Sequence, residues 1–267
     1  VKEGLARFMN SNLLKRIASA VVLLPLLILI IFKAPFFLIK FLVLIVAILS
    51  LREWNELFSL PKAYLWCSIL LYFGLFWQNF PLNLFLFFIF LIFSFSFHLS
   101  RFQAEVFARQ FFPFFFGLSY VYFSLSCLTG IISDFSREHL FYLLMVVFAN
   151  DTGAYFAGKT WGKTPFFASI SPRKTWEGFW GGIGLSFLVG YLVNLKFSLF
   201  DVRTYFLVTF FVALSGTLGD LLESAVKRSV GKKDSGALIP GHGGILDRID
   251  GLLLAGPIGY LILKLLS

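Results

Sequence analysis

Between Thr204 and Leu265 the chain reads TYFLVTFFVALSGTLGDLLESAVKRSVGKKDSGALIPGHGGILDRIDGLLLAGPIGYLILKL. Its two ends, 204–226 and 245–265, are apolar runs of about twenty residues, the length an α-helix needs to cross a bilayer. Between them, from Asp220 to Asp250, four aspartates and a glutamate stand beside five Lys/Arg and five glycines. In a soluble protein such a run reads as a solvated loop. Wedged between membrane helices, where ionisable groups are expensive, it reads as functional.

The same apolar rhythm fills the chain. Of 267 residues, 58% are hydrophobic, 19% aromatic and 14% charged, which excludes an ordinary soluble domain. The runs do not alternate, which excludes a β-barrel. The reading is all-α: one polytopic integral membrane domain over 1–267, with about nine transmembrane helices at roughly 15–32, 35–51, 63–80, 82–98, 110–132, 140–158, 176–195, 204–226 and 245–265. Lys40 interrupts the second. The count falls to eight if 82–98 is re-entrant or if Pro113 breaks 110–132. Residues 1–135 then supply helices for packing and oligomerisation, and 140–255 carry the chemistry. Lys15 and Arg16 before the first run imitate a signal peptide, but no small-residue cleavage site follows, so the run reads as a retained helix. Cys67 and Cys127, both in apolar runs, read as small buried hydrophobes.

Charge orients the bundle. With the N-terminus in the cytoplasm, seventeen Lys/Arg fall inside and five (Lys33, Arg137, Lys196, Arg203, Lys264) fall outside, Lys40 lying within a span. The positive-inside rule therefore gives N-in, C-out. The net charge of +9 expresses this bias and attraction to anionic membrane lipid, with no nucleic acid as partner. The basic loops 159–175 and 227–245 share the cytoplasmic side. Arg52, Glu53, Glu56, Arg101, Glu105 and Arg109 in the first half read as interfacial anchors and i,i+4 pairs.

Gly153-Ala-Tyr-Phe-Ala-Gly158-Lys159-Thr160 fits the P-loop pattern G-x-x-x-x-G-K-[ST] letter for letter. That motif needs a strand before it and a helix after it, and this one continues an apolar helical run. Small residues four apart, at Ala154, Gly158 and Gly162 and again at Gly178, Gly182, Ser186 and Gly190, instead predict close helix packing in lipid.

Asp220, Glu223, Ser224 and Lys227 recur at i, i+3, i+4 and i+7, one face of a helix. Asp247 and Asp250 share a face at the start of the last span, with Arg248 pointing elsewhere. Two readings follow. The carboxylates converge on Mg²⁺, a hard cation that takes one or two carboxylates and fills its shell with water and substrate phosphates, or on two metals a few Å apart. Alternatively they form a salt-bridge network, Asp220 with Lys227 and Asp247 with Arg228. Gly241, Gly243 and Gly244, with Lys227, Arg228, Lys232 and Lys233, suggest a polyphosphate cradle. His242 reads as a phosphate contact, a proton donor to a leaving group or a packed loop histidine. Asn150-Asp151 lies mid-run, where an aspartate needs a partner. Arg173, Lys174 and Glu177 flank the next span, with Ser171 placed to cap it.

These residues resemble a family. The run Ser224-Ala-Val-Lys227-Arg228, four residues, Lys233-Asp234, then Pro240-Gly-His242-Gly243-Gly244-Ile-Leu-Asp247-Arg248-Ile-Asp250 is similar to the signature of the phosphatidate cytidylyltransferases. Asn150-Asp151-Thr-Gly153-Ala-Tyr155 and Ser171-Pro172-Arg173-Lys174-Thr175-Trp176-Glu177-Gly178 also resemble it, with Arg173 where the family commonly has Lys. The likeness covers about 140–255. It implies transfer of CMP from CTP to phosphatidic acid, giving CDP-diacylglycerol and pyrophosphate. It further implies dependence on divalent metal, a site facing the cytoplasm at the inner membrane, and a homodimer. On that resemblance Asp220, Asp247 and Asp250 are expected as metal ligands or near-ligands. Lys227, Arg228 and Lys233 would neutralise triphosphate and pyrophosphate. Arg173 and Lys174 would hold lipid phosphate or nucleotide, oriented by Asp151 and Glu177, and Ser224, His242, Gly243, Gly244 and Arg248 would line the substrate. Rival readings are a CTP-using polyprenol or phytol kinase and a transporter with intramembrane aspartates. The first needs a general base for an alcohol, and the internal repeat frequent in the second is absent from the sequence.

Overall fold

The computed structural model describes residues 25–76, 80–100, 102–236, 238 and 243–266. Among them every regular element is a helix, and an isolated β-bridge joins Pro165 to Thr175. Two compact units divide at Phe41. The first contains helical residues 25–33, a break at 34–35 where Pro35 cannot donate a backbone bond, and the opening of helix α1 (Phe36–Leu57). Lys40 does not interrupt that helix: its ammonium lies 5.5 Å from the Phe36 ring.

The second unit begins at Leu42 within α1. It continues through α2 (Lys62–Phe76), α3 (Phe80–Ser100), α4 (Ala104–Asp134), α5 (Arg137–Trp161), α6 (Trp176–Phe197), α7 (Val202–Ser229) and α8 (Leu246–Leu266). Eight of the nine predicted runs coincide with these helices, and the run 15–32 lies largely outside the described residues. Five helices, α4 to α8, are long and apolar enough to cross a membrane, so the described residues carry a multi-pass membrane protein. The run at 82–98 is one uninterrupted helix. Pro113 does not break α4 either. The turn Phe107–Phe111 ahead of it widens to π-helical geometry, which relieves the clash a proline makes with the preceding turn.

The core lies among α4 to α8, where Val121, Ile131, Val146, Val147, Val212, Ala213, Leu253 and Ala255 are fully buried. Lipid is as apolar as these side chains, so close packing and interhelical hydrogen bonds must supply the cohesion. The α5–α6 seam supplies the packing. A Cβ on Gly181 would stand 2.2 Å from that of Ala157, and one on Gly182 would stand 2.7 Å from the Asn150 carbonyl oxygen. Gly178 and Gly190 face α5 just as tightly, and Ser186 Oγ donates to the Val146 carbonyl at 3.0 Å. The P-loop look-alike is thus the helix-packing face that its small residues predict. Tyr142 with Thr209 (2.5 Å), Asn150 with Thr217 (2.8 Å) and Ser124 with the Leu253 carbonyl supply the hydrogen bonds. Leu188, Leu192 and Leu195 form an exposed stripe at helical spacing on α6, a lipid-facing surface.

The end of α1 joins this core through Trp54, whose indole N–H donates to the Pro113 carbonyl at 2.9 Å and whose ring fills the notch at Gly117. Cys127 is buried as expected, but Cys67 is exposed, and both are free.

Candidate functional site

The polar groups gather along the C-terminal halves of α5 and α7 and around the starts of α6 and α8. The segment 162–175 between α5 and α6 folds back on itself. Phe166 N donates to the Lys174 carbonyl (2.8 Å) and Trp176 N to that of Thr164 (2.9 Å). Thr175, rather than Ser171, caps α6, its hydroxyl accepting from Gly178 N at 3.1 Å. Ser171 sits inside a turn four residues before that cap. Glu177 accepts from Lys163 N (3.1 Å), Thr164 N (3.2 Å) and Thr164 Oγ1 (2.9 Å). It therefore orients the loop backbone and not Arg173 or Lys174.

Pinned this way, the loop closes a cavity of about 490 Å³ against α5 and α7, within the range of small-ligand sites. Asp151, Lys159, Arg173, Lys174 and Asp220 line it, with Tyr155, Phe166 and Phe179 as aromatic walls. Lys174 Nζ meets Asp220 Oδ2 at 2.6 Å, with side chains 24% and 32% exposed. That partial exposure leaves both heads reachable from the cavity. The Asp220 Oδ1 atom accepts from Ser224 at 3.3 Å. Asp151 is exposed into the cavity within electrostatic range of Asp220, Asp250 and Lys174; among the described residues no hydrogen bond or ion pair satisfies it.

Behind this cavity lies a second cluster. Lys227 Nζ sits between Asp247 Oδ1 (2.5 Å) and Glu223 Oε2 (3.2 Å), and both Lys227 and Glu223 are buried. The helical face Asp220, Glu223, Ser224, Lys227 exists as predicted. The predicted ion pairs do not: Asp220 pairs with Lys174, Asp247 pairs with Lys227, and Arg228 turns to the carbonyls of Ile170 (3.5 Å) and Lys232 (3.0 Å). Asp247 Oδ2 accepts from Gly244 N (2.8 Å), Ser235 N (3.0 Å) and Ser235 Oγ (3.0 Å). A Cβ on Gly243 would stand 2.7 Å from Asp247 Oδ2, and one on Gly244 would stand 2.4 Å from Glu53 Oε2. These glycines thus admit protein carboxylates, where a polyphosphate was expected. Gly243 also takes φ +80°, which side-chain-bearing residues rarely adopt. Lys233 and Arg248 are exposed; Gly241 and His242 lie outside the described residues.

A hard cation needs oxygen donors that are not already spent. Asp151 offers them in the cavity, and Asp220 adds Oδ1, which holds only the long 3.3 Å bond from Ser224 while Oδ2 is taken by Lys174. Asp250 lies close by, one oxygen accepting from Gly251 N at 2.7 Å, and Glu223 Oε1 is buried without a hydrogen-bond partner among the described residues. The donor set fits Mg²⁺ at one or two of these carboxylates. It does not fit a closed Asp220–Asp247–Asp250 triad, since both Asp247 oxygens are committed. Among the described residues no three carboxylate or imidazole groups already converge on one point.

One member escaped the sequence reading. Glu53, expected as an interfacial anchor, is 1% exposed and accepts from Ile245 N (2.8 Å), Leu246 N (2.9 Å) and Ser235 Oγ (3.1 Å). Its neighbours behave as expected, Arg52 with Glu56 at 2.9 Å and Arg109 with Glu105 at 3.4 Å. No local pattern separates Glu53 from them, because its partners lie more than 180 residues away.

Residues 14–266 match the model of the cytidylyltransferase family, and the chain belongs to that family. It is 43% identical over 137 residues to a phosphatidate cytidylyltransferase of Bacillus subtilis, a match covering 51% of each chain. It is 41% identical over 157 residues to one of Thermotoga maritima, covering 57% of this chain and 58% of the relative. Over 140 residues it is 43% identical to one of Helicobacter pylori, covering 52% of each. These matches span about half the length of each relative.

Proposed function

We propose, from membership of the cytidylyltransferase family, that this chain transfers CMP from CTP to phosphatidic acid, releasing CDP-diacylglycerol and pyrophosphate. The observation that carries the proposal is the Lys174–Asp220 pair within a cavity bordered by Lys159, Arg173 and Asp151. The names of the relatives point to the same substrates. A phosphate monoester has its second pKa near ~6, so the lipid phosphate is already a nucleophile at neutral pH. Its oxygen attacks the α-phosphorus of CTP as the bond to the β-phosphate breaks. The obstacle is like charge, and catalysis is mainly positioning and neutralisation.

In this reading Arg173, Lys174 and Lys159 receive phosphates in the cavity, while the exposed Arg228 and Lys233 attract triphosphate. Glu177 keeps the 162–175 loop in place. Lys227 holds Asp247 and Glu223. Asp220 and Asp250, with Asp151 alongside, would hold Mg²⁺, and Asp247, held by Lys227, would support them from the start of α8. The cation, when bound, neutralises charge on the reacting phosphates. The chain would cross the inner membrane about nine times, N-in and C-out, with the site facing the cytoplasm, and work as a homodimer. The basic loops on one side support that orientation.

Incubating the purified chain with α-labelled CTP, phosphatidic acid and MgCl₂ tests the proposal. Label in CDP-diacylglycerol with equimolar pyrophosphate is expected. Production of CDP with a phosphorylated alcohol, or no turnover, refutes it.

A further inference from the structure

A buried carboxylate is costly unless hydrogen bonds or an opposite charge satisfy it. Glu53 is buried at the C-terminal end of α1, and among the described residues no Lys or Arg forms an ion pair with it. Its charge is met by the amides of Ile245 and Leu246 at the start of α8, where a helix presents unsatisfied N–H groups and the positive end of its dipole. The side chain therefore caps α8 from another helix, and the cap carries direction. The Ser235 hydroxyl lies 3.1 Å from Glu53 and 3.0 Å from Asp247, bridging the two carboxylates. Beyond it, Asp247 holds Lys227. The loop can wrap both acids only because Gly236 and Gly244 leave room: a Cβ on either would fall within 3 Å of Glu53 oxygens. Lys232 ties the same loop to the same end of α1, its Nζ donating to the Glu56 carbonyl at 2.9 Å.

We infer that Glu53 is a positioning residue of the site: acting through Ser235 and the start of α8, it sets the orientation of Asp247 and so of Lys227. An apolar side chain would fasten α1 to α8 without the desolvation cost. A carboxylate additionally fixes the angle at which α8 enters the site. The end of α1 thereby supports the site as well as the packing. This inference rests on the proposed nucleotidyl transfer for its kinetic readout and stands without it for its structural one.

The test compares Glu53→Gln with wild type and with Glu56→Gln, whose carboxylate, among the described residues, makes only the exposed pair with Arg52. Gln keeps one acceptor and turns an N–H₂ toward the other donors. Amide hydrogen exchange without metal or substrate is expected to accelerate at 243–248 in Glu53→Gln and to stay unchanged at 163–178. In the transferase assay kcat is expected to fall about 10–100-fold, the usual cost of losing a supporting partner behind a site, and the half-saturating Mg²⁺ concentration is expected to rise. A smaller folded fraction lowers the rate without moving that concentration. Glu56→Gln should match wild type throughout. Should Glu53→Gln fail to fold, Ser235→Ala removes only the bridging hydroxyl and should shift the Mg²⁺ dependence in the same direction. Unchanged exchange at 243–248, or lower kcat at an unchanged Mg²⁺ requirement, overturns the inference. If wild type itself lacks transferase activity, the proposed function fails and exchange alone decides the role of Glu53.

Discussion

Replacing Lys227 with Met removes the cation that two acids share. The side chains of Lys227, Glu223 and Asp247 are only 9%, 1% and 11% exposed, so solvent screens them little. At 2.5 and 3.2 Å, each unit pair attracts by roughly 5–7 kcal/mol at an effective dielectric near ~20. Desolvation offsets several kcal/mol per ion, so the net worth of the intact cluster is small. Deleting one member is different, because it leaves charge buried and unpaired, at a cost of about 3–5 kcal/mol. Glu223 is the more exposed to this cost: it loses the ammonium and keeps Asp250 and Asp247 within electrostatic range. Lys227→Met is therefore expected to lower stability by that amount, measured by denaturant unfolding in mixed micelles, and to abolish turnover. Adding Glu223→Gln should restore part of the stability, with a coupling of roughly 0.5–3 kcal/mol, and no activity, since Asp247 stays unheld. A Lys227→Met protein as stable as wild type, or strictly additive single and double variants, would refute the idea of a charge cluster buried behind the cavity.

Other expectations test the remaining parts. Gly181→Leu should prise α5 from α6 and cost about 1–3 kcal/mol of stability or more, whereas Gly184→Ala, with nothing within 4 Å of its Cβ, should be neutral or stabilise by up to ~1 kcal/mol; equal unfolding midpoints would discount the seam. Lys174→Met frees Asp220 and removes a phosphate contact, so kcat/KM should drop by about 10²-fold or more, while Lys174→Arg recovers only part because the guanidinium fork differs in reach; steady-state kinetics against both substrates decides. Asp220→Asn should abolish turnover yet leave the protein in the membrane, and near-wild-type rates would remove Asp220 from the proposed metal site. Chelation with EDTA should stop turnover and added MgCl₂ restore it, and a chelated enzyme that keeps its rate would exclude the cation.

Helix positions were legible because they rest on local physics. Apolar runs near twenty residues mark where a backbone must satisfy its own hydrogen bonds. Small residues four apart marked the α5–α6 seam without knowledge of the partner, and the one-face spacing of Asp220, Glu223, Ser224 and Lys227 follows from the helical repeat. Even the false P-loop could be set aside from its context.

Partners were not legible, because they depend on distances between helices. The i,i+7 spacing made Lys227 a natural mate for Asp220, yet Lys174 arrives from the 162–175 segment and takes that place. Ser171 had the chemistry of a cap, but the fold-back of 162–175 delays the start of α6 to Thr175. Gly244 was read as room for phosphate and is room for Glu53.

By itself the sequence determined the class of protein, the placement of its helices and the segment where charge concentrates, all consequences of hydrogen bonds and burial within single helices. Only the tertiary structure decided how the charges are shared: Asp220 with Lys174 at the cavity, Asp247 with Lys227 farther along α7, and Glu53 joined to Asp247 through Ser235. Coulomb energy depends on separation, and those separations are set by how closely the glycine-lined faces of different helices pack.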